Sequence, residues 1–338
     1  MTSLVTTLTE TLRYRGAIGQ WSWVLHRLTG LGVVFFLVIH VVDTSWAVFY
    51  PELYVHAIAT YQTPLFTVAE FGLIAAVVYH ALNGLRIIIM DYRPQWWKYQ
   101  KMAANAVIIG TAVLLIPVFA LMMGHVIDHY SKPDVFILPI GEVIAGQIPF
   151  IVGIGVAAIA AVLLSGAYGL VAGEDAQKVT GKGAGSRLER FWWSFMRISG
   201  LLIVPLVFGH LALMHIVQGV FDLTLAGATV AGTNLINESG TAVEFVSDRW
   251  SYMIGGVAIW RVYDMMLLGL VTIHGFNGLR YVLTDYFRND TLKRAMVYLC
   301  VIGAVVLLVT GGGALIAGID EDAIALAAQA YADMVAAH

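Results

Sequence analysis

Four histidines in apolar surroundings recur at matched positions of the chain. Residues 80–86 (His-Ala-Leu-Asn-Gly-Leu-Arg) return as residues 274–280 (His-Gly-Phe-Asn-Gly-Leu-Arg), a shift of 194. Two further histidines, His40 and His210, match at a shift of 170. Ionisable side chains within long apolar runs are rare and usually functional, so matched pairs of them indicate chemistry.

The repeat extends over a unit of three helices. Residues 26–30 (His-Arg-Leu-Thr-Gly) align with 196–200 (Met-Arg-Ile-Ser-Gly) at the shift of 170, and the Asp-Tyr pairs at 91–92 and 285–286 align at the shift of 194. We therefore expect spans one to three to repeat as spans five to seven. Because an odd number of spans ends on the opposite side, span four, which has no histidine or charge, returns the chain. Both units then have the same orientation.

Facing histidines of such a parallel repeat can supply both axial ligands of a low-spin haem iron. We expect one haem between His40 and His210 and another between His80 and His274. His80 lies about 9 Å and His40 about 20 Å along their helices from the arginines at the inner ends, so the two haems differ in depth by about 10 Å. For a single histidine, the alternative is a hydrogen bond between helices.

The elements that must position these histidines are membrane-spanning helices. The 338 residues are 59% hydrophobic and 12% charged, about half the charge of a soluble domain, which excludes a soluble enzyme and a disordered chain. A net charge of −3 argues against a nucleic-acid partner, and the single cysteine, Cys300, excludes a disulfide framework. Seven apolar segments long enough to cross a membrane lie near 22–49, 64–90, 103–127, 149–173, 192–219, 260–286 and 294–318.

Lysine and arginine are distributed unevenly over the two sides of these spans. Of the 19, only Lys132, Arg249 and Arg261 fall on one side, so the positive-inside rule places the N-terminus in the cytoplasm. The predicted fold is an all-α polytopic helical bundle with a tandem repeat of a three-helix unit. Its predicted parts are a first repeat (1–130), a bridging helix with loops (131–185), a second repeat (186–319) and an outer amphipathic tail (320–338).

Further repeated residues lie close to the histidines. Gly84 and Gly278 come four residues after a histidine, on the same helix face, where a missing side chain leaves room for a flat macrocycle. Glycine also serves plain helix packing in membranes. Arg86 and Arg280 are placed to reach haem propionates, or else mark the inner interface of the membrane.

Together these motifs resemble the membrane anchor of succinate dehydrogenase and fumarate reductase. One small subunit of that family carries His-Arg-x-Ser/Thr-Gly and then His-x-x-x-Gly-x-Arg with a terminal Asp, which match residues 26–30 and 80–91. The other carries Leu-Thr-Asp-Tyr after its haem histidine, which matches residues 283–286. The resemblance covers about 20–127 and 190–318. This chain differs from the family pattern because its two anchor units are fused through span four. Its second histidine pair, His40 with His210, resembles that of diheme members.

The resemblance implies a cytochrome b with two b haems that carries electrons between an iron–sulfur subunit and membrane quinone, with menaquinone favoured over ubiquinone. Because the chain has no cysteine cluster and no dinucleotide motif, the flavin, the clusters and the dicarboxylate site are expected on iron–sulfur and flavoprotein partners at the cytoplasmic face. The setting is the inner membrane of a prokaryote, in contact with lipid.

The resemblance also implies a quinone site near the inner haem. The family often has serine three residues before its first histidine; here that residue is Trp23, and Ser22 precedes it. Arginine and tyrosine can donate hydrogen bonds to quinone oxygens and stabilise developing charge, although Tyr286 and Trp23 also suit an interfacial aromatic belt. The matching positions are Arg27, Trp23, Ser22 and His26 from the first half, and Asp285 and Tyr286 from the second.

Two acids, Glu70 and Asp264, lie ten residues before His80 and His274 and are not needed for haem ligation. They are candidates for proton exchange with a quinone near the outer haem. The alternative is a pair of water-exposed acids at helix ends, paired with Arg261. His215 is a reserve candidate for ligation of the outer haem.

Two other functions fit part of the pattern. One is the diheme cytochrome b of another quinone-linked dehydrogenase, such as a hydrogenase or formate dehydrogenase. The other is a non-redox transporter built from a parallel repeat. The Asp-Tyr endings favour the succinate dehydrogenase family over both.

Overall fold

The computed structural model describes residues 17–132, 135, 137–172, 187–287 and 289–337. It is 84% helical, and within these ranges seven helices are long and apolar enough to cross a membrane, which confirms the predicted all-α bundle. The helices are α1 (Ile18–Phe49), α2 (Pro51–Tyr61), α3 (Pro64–Tyr92), α4 (Gln100–Tyr130), α5 (Ile140–Ala145), α6 (Ile148–Ala172), α7 (Arg187–Ala212), α8 (Ala242–Ser251), α9 (Ile259–Tyr286), α10 (Asp290–Ala317) and α11 (Glu321–Ala336).

Three short turns, one of them the 3-10 turn Asp222–Thr224, and one small sheet complete the described elements. A 3-10 turn (Pro94–Tyr99) precedes α4, and a π-helical turn (Leu213–Val217) ends α7. A two-stranded antiparallel sheet, β1 (Met253–Ile254) and β2 (Val257–Ala258), precedes α9. The spanning helices are α1, α3, α4, α6, α7, α9 and α10.

The helix boundaries follow from local sequence. Pro64 occupies the first turn of α3, where no amide hydrogen is needed. Asn289 caps α10 by accepting a hydrogen bond from the Leu292 amide at 3.1 Å. Gly318 ends α10 with a φ of +75°, and a Cβ there would lie 3.1 Å from an Arg261 nitrogen, so glycine suits this position.

The four helices that carry the repeated histidines pack together. Within the repeats, α1 packs on α3 and α7 packs on α9; between the repeats, α1 packs on α9 and α3 on α7. The bridging helix α6 packs along α10, where the Ser165 hydroxyl donates to the Thr291 carbonyl. The two repeats therefore share one four-helix centre.

The two ends of this bundle differ in character. We call the end with Arg27, Arg86, Arg197 and Arg280 the basic end, and the opposite end the cap end. Several residues that the sequence analysis assigns to the basic side lie outside the described ranges, namely Arg13, Arg15, Lys178, Lys182 and Arg288.

A compact cap covers the end opposite the arginines. It is formed by α2, α8, α11 and the segment 218–241, around buried side chains that include Tyr54, Val243, Phe245 and Ala327. From the sequence, only outer loops and an amphipathic tail are expected at this end. The predicted amphipathic tail is present as α11, and its apolar face packs on α2 and α8.

Arg249 ties the cap to the membrane-spanning bundle. Only 4% of it is exposed; it donates to the Ala231 carbonyl at 3.0 Å, and its guanidinium lies 4.2 Å above the Trp260 ring. Burial lowers the pKa of Arg249, and the nearby Asp264 carboxylate opposes this shift. The arginine thus connects α8 with the start of α9.

Phe245→Ala is expected to destabilise the cap by about 3–5 kcal/mol, because a fully buried aromatic ring would leave a cavity. Phe245 is 1% exposed. The measurement is the thermal midpoint of the purified chain together with its rate of proteolysis within residues 218–251. Ile236→Ala is the control, since Ile236 is 53% exposed in the same cap. Equal stability of the two variants would contradict a packed cap.

Candidate functional site

The histidine pair nearer the cap lies between α1 and α7. The ring centres of His40 and His210 are 6.0 Å apart, and the rings are inclined by 73°. Two imidazoles that bind one metal ion from opposite sides need roughly 6 Å between ring centres, since a metal–imidazole bond is about 2 Å. The His210 Nδ1 is also 4.0 Å from the Asp264 carboxylate. This pair therefore has the spacing that axial ligation requires.

The histidine pair nearer the basic end lies between α3 and α9, and each ring fits against a glycine of a neighbouring helix. A Cβ at Gly30 would lie 2.8 Å from the His80 Cε1, and one at Gly200 would lie 3.3 Å from the His274 Cε1. In each repeat, therefore, the imidazole packs directly against a glycine of the neighbouring helix: His80 against Gly30 and His274 against Gly200.

The hydroxyl group before each of these glycines contacts the same imidazole. The Ser199 Oγ is 2.9 Å from the His274 Nδ1. The Thr29 Oγ1 is 3.5 Å from the His80 Nδ1, which also lies 3.1 Å from the His26 carbonyl. Both Nδ1 atoms therefore face the neighbouring helix, which leaves Nε2 as the other ring nitrogen of each histidine.

The two glycines that the sequence analysis selected for a macrocycle are packed against side chains. A Cβ at Gly84 would lie 3.6 Å from the His26 Cε1, and one at Gly278 would lie 3.6 Å from the Met196 methyl. His26 also stacks on His80, with ring centres 4.0 Å apart and planes 7° apart. These glycines accommodate residue 26 or 196 of the adjacent helix.

The two repeated arginines after the histidines have different surroundings. Among the described residues, the buried Nε and Nη1 of Arg86 have no hydrogen-bond partner. Arg280 instead donates to Asn277 at 3.0 Å and to Glu189 at 3.1 Å. Arg86 therefore offers unpaired donors to an anionic group. Arg280 would first have to break its hydrogen bond to Glu189 before it could bind such a group.

Three observations are compatible with haem: the 6.0 Å between the ring centres of His40 and His210, the contacts of the His80 and His274 Nδ1 atoms with neighbouring helices, and the unpaired buried donors of Arg86. In the described part of the chain, no cluster of three or more histidine, cysteine or acidic side chains could hold a metal ion by itself. A pair of histidines suits an iron whose other four ligands come from a macrocycle.

At the basic end, two ion pairs connect the repeats in matched fashion. Arg27 binds Asp285, and Arg197 binds Asp91 through two nitrogens, at 3.0 and 2.6 Å. Each arginine also lies over a tryptophan: Arg27 over Trp23 at 4.0 Å and Arg197 over Trp193 at 4.1 Å. The predicted quinone site is therefore one of two copies related by the repeat.

The two copies differ in how open they are. The Asp285 side chain is 55% exposed, while that of Asp91 is 18% exposed. Tyr286 is 69% exposed, so its ring is free to meet a ligand. By the exposure of the acid we call the first copy open and the second closed, although Tyr92 of the second copy is also 53% exposed.

Ser22 and His26 lie on the same helix as Arg27 but contact α3. The Ser22 hydroxyl donates to the Asn83 side chain at 2.7 Å, and the Tyr79 hydroxyl donates to the Ser22 carbonyl at 3.2 Å. Ser22 is 3% exposed. The structure thus brings Arg27, Trp23 and Asp285 together, whereas Ser22 belongs to a buried polar group with Asn83.

The two acids near the cap have histidine neighbours. The Glu70 carboxylate is 2.7 Å from the Nδ1 of His215, which lies on the π-helical turn that ends α7. Asp264 accepts a hydrogen bond from the Trp250 indole at 3.0 Å. Arg261, the alternative partner, lies against Gly318. Each acid therefore has a polar contact near the outer histidine pair.

A family model described as Succinate dehydrogenase/Fumarate reductase transmembrane subunit matches the chain twice, over residues 6–136 and 180–311. The chain belongs to this family. It is a multi-pass membrane anchor subunit of a succinate dehydrogenase or fumarate reductase. The two matches fall on the two repeats, which is consistent with a fusion of two anchor subunits.

Two curated relatives match parts of the chain. The Succinate dehydrogenase 2 membrane subunit SdhC of Mycobacterium tuberculosis is 42% identical over 119 residues, 35% of this chain and 86% of that protein. The Succinate dehydrogenase hydrophobic membrane anchor subunit of Halobacterium salinarum is 31% identical over 74 residues, 22% of this chain and 57% of that protein. No solved structure gives a significant match.

Within this succinate dehydrogenase anchor, several polar contacts were missed by sequence reasoning. They include the closed copy of the ion pair, the hydroxyls that contact the inner histidines, and the buried Asn83 and Asn277. The signal was available, because each set matches at one of the two shifts. The pairing of Glu70 with His215 had no such signal, since the residue matched to His215 is Ser45.

Proposed function

We propose that the chain is a fused diheme cytochrome b of a succinate:quinone oxidoreductase. The observation that carries the proposal is the pair of His40 and His210, whose ring centres are 6.0 Å apart between the two repeats. Haem b would bind between His40 and His210 and between His80 and His274. The bound iron would supply one-electron transfer, a chemistry that the side chains of this chain do not have.

The protein contributes ligands, orientation and charge. The four histidines would hold the two irons, one pair for each, and the shared four-helix centre would position the two haems. Arg86 would bind a propionate through its unpaired nitrogens, and Arg280 is the equivalent residue of the second repeat. Gly84 and Gly278 keep the adjacent helices close.

The quinone site in this proposal is the open copy at the basic end. Arg27 and Tyr286 donate to the quinone oxygens, Asp285 orients Arg27, and Trp23 supplies an apolar wall. Donors aimed at the developing negative charge of the quinone stabilise it during reduction. Ser22 and His26 support this site from within α1.

The basic end faces the cytoplasm in this proposal and binds an iron–sulfur subunit, which in turn carries a flavoprotein subunit with the dicarboxylate site. The membrane is the inner membrane of a prokaryote. Menaquinone is the favoured quinone by resemblance to diheme members, and lipid surrounds the spans.

The test is reduction of the purified complex by different donors. Succinate is expected to produce the absorption band of reduced b haem, whereas formate and hydrogen are not. Reduction by formate or hydrogen instead would assign the chain to another quinone-linked dehydrogenase. A chain without a b-type band would overturn both, as a transporter would have none.

Glu70→Gln is expected to lower quinone turnover by about 10²-fold or more and to change the proton stoichiometry, because a positioned proton donor contributes about 10²–10⁴-fold. Asp264→Asn tests the matched acid in the same way. The effect of Glu70→Gln is expected because the contact between Glu70 and His215 would pass a proton near the outer haem. Asp128→Asn is the control, an exposed carboxylate at the same end. Unchanged turnover and stoichiometry in Glu70→Gln would refute the role.

A further inference from the structure

We propose that Thr29 and Ser199 are positioning residues that fix the tautomer of the two inner haem ligands. Each would accept a hydrogen bond from the Nδ1–H, at His80 together with the nearer His26 carbonyl, so that Nε2 is left as the ligand atom. The inference rests on the proposed function, because it concerns ligation of the inner haem.

The direction of the hydrogen bond at Ser199 follows from its other contact. The Ser199 hydroxyl lies 2.6 Å from the Phe195 carbonyl, four residues earlier in α7, and can only donate to it. A hydroxyl has a single hydrogen and two acceptor positions. Towards His274, at 2.9 Å, the oxygen of Ser199 is therefore an acceptor, and the Nδ1 of His274 must bring the hydrogen.

The same argument applies to Thr29 in the first repeat. Its hydroxyl donates to the Leu25 carbonyl at 2.7 Å, again four residues earlier. The Nδ1 of His80 faces two acceptors, the Thr29 oxygen at 3.5 Å and the His26 carbonyl at 3.1 Å. His80 therefore also carries its hydrogen on Nδ1, with the carbonyl as the nearer acceptor.

The arrangement is built twice from different side chains. Leu25 and Phe195 supply the carbonyl, Thr29 and Ser199 the hydroxyl, and in both copies the next residue is a glycine that seats the imidazole. All matched positions follow the shifts of 170 and 194. This geometry gives a physical reason for the Ser/Thr-Gly pair in the motif that resembles the anchor family.

A histidine held by its second nitrogen is a better oriented and more basic ligand. Loss of the acceptor at Ser199 leaves the Nδ1–H of His274 without a partner, and the ring is free to rotate. A less basic ligand stabilises ferric iron less, so the midpoint potential of the inner haem should rise. Thr29 should matter less, because His80 keeps the His26 carbonyl.

The experiment compares Ser199→Val with Ser199→Thr in the complex as purified, since these two side chains have the same shape and differ in the hydroxyl. The readouts are the midpoint potential of each haem, the resonance spectrum of the ferric haems, and haem retention against apomyoglobin as acceptor. For Ser199→Val we expect a raised potential and an altered spectrum of the inner haem, with retention weakened about 10-fold or more. Ser199→Thr should resemble the wild type, and Thr29→Val should shift less than Ser199→Val.

Equal behaviour of Ser199→Val and Ser199→Thr would overturn the inference, whether both keep or both lose the inner haem. Loss of the inner haem in Ser199→Val alone would support it. A wild-type complex without b haem would overturn the proposed function instead, so the two failures are distinguishable.

Discussion

Replacing His80 by alanine is expected to remove one of the two haems from each chain and to leave the other in place. His274→Ala should remove the same haem, because both imidazoles would bind one iron. His40→Ala and His210→Ala should each remove the second haem. The physical reason is that loss of one axial ligand leaves a low-spin haem held from a single side.

Double variants make this prediction sharper. His80→Ala combined with His274→Ala should lose no more haem than either change alone. His80→Ala combined with His40→Ala should lose both haems. The measurement is haem per chain, with the band positions of the remaining haem. His56→Ala is the control, since His56 is exposed on α2 and has no matched partner.

The pairing would be contradicted if His80→Ala and His274→Ala removed different haems, as judged by band position and potential. It would also be contradicted if the control lost haem to the same extent. A histidine that merely bonds between helices would leave both haems present when removed.

Arg27→Ala is expected to reduce succinate-driven quinone reduction by about 10²-fold, while electron transfer from succinate to a soluble dye is retained. The reason is that Arg27 is the cationic donor in the open copy of the site, next to the exposed Tyr286. The dye assay reports the peripheral subunits and does not need the quinone site. Tyr286→Phe should show a smaller loss of the same kind.

The matched control is Arg197→Ala. It removes an equivalent bond between the repeats, to Asp91, and an equivalent contact with a tryptophan. Its quinone reduction should stay near that of the wild type, because the closed copy exposes little of its acid. Equal losses in Arg27→Ala and Arg197→Ala would show that both pairs serve packing alone, and the quinone assignment would then be wrong.

The membrane-spanning fold was predictable because each span is a long apolar run. The boundaries moved by a few residues where polar flanks continue a helix, as in α1, which begins at Ile18 rather than near residue 22. The cap was not predictable, because its core joins side chains from segments far apart in the chain, including Ala47 and Val143. Phe245 and Ala327, for example, meet only through tertiary packing.

The candidate site was predictable where the repeat constrains it. The repeat predicted that His40 and His210 lie close together, and their ring centres are 6.0 Å apart, whereas Arg27 and Asp285 were grouped by the family resemblance. The hydrogen bond from Ser22 to Asn83 depends on how α1 is rotated about its own axis, and the spacing of residues in the sequence does not define that rotation. The same holds for the π-helical turn that brings His215 to Glu70.

The most direct test of the account is the haem content of the wild-type chain, measured from the pyridine haemochrome spectrum against the amount of polypeptide. The account predicts two b haems per chain, and reduction of at least one of them by succinate in the assembled complex. A single haem would contradict the outer pair, His40 and His210. A chain without haem would contradict the account as a whole.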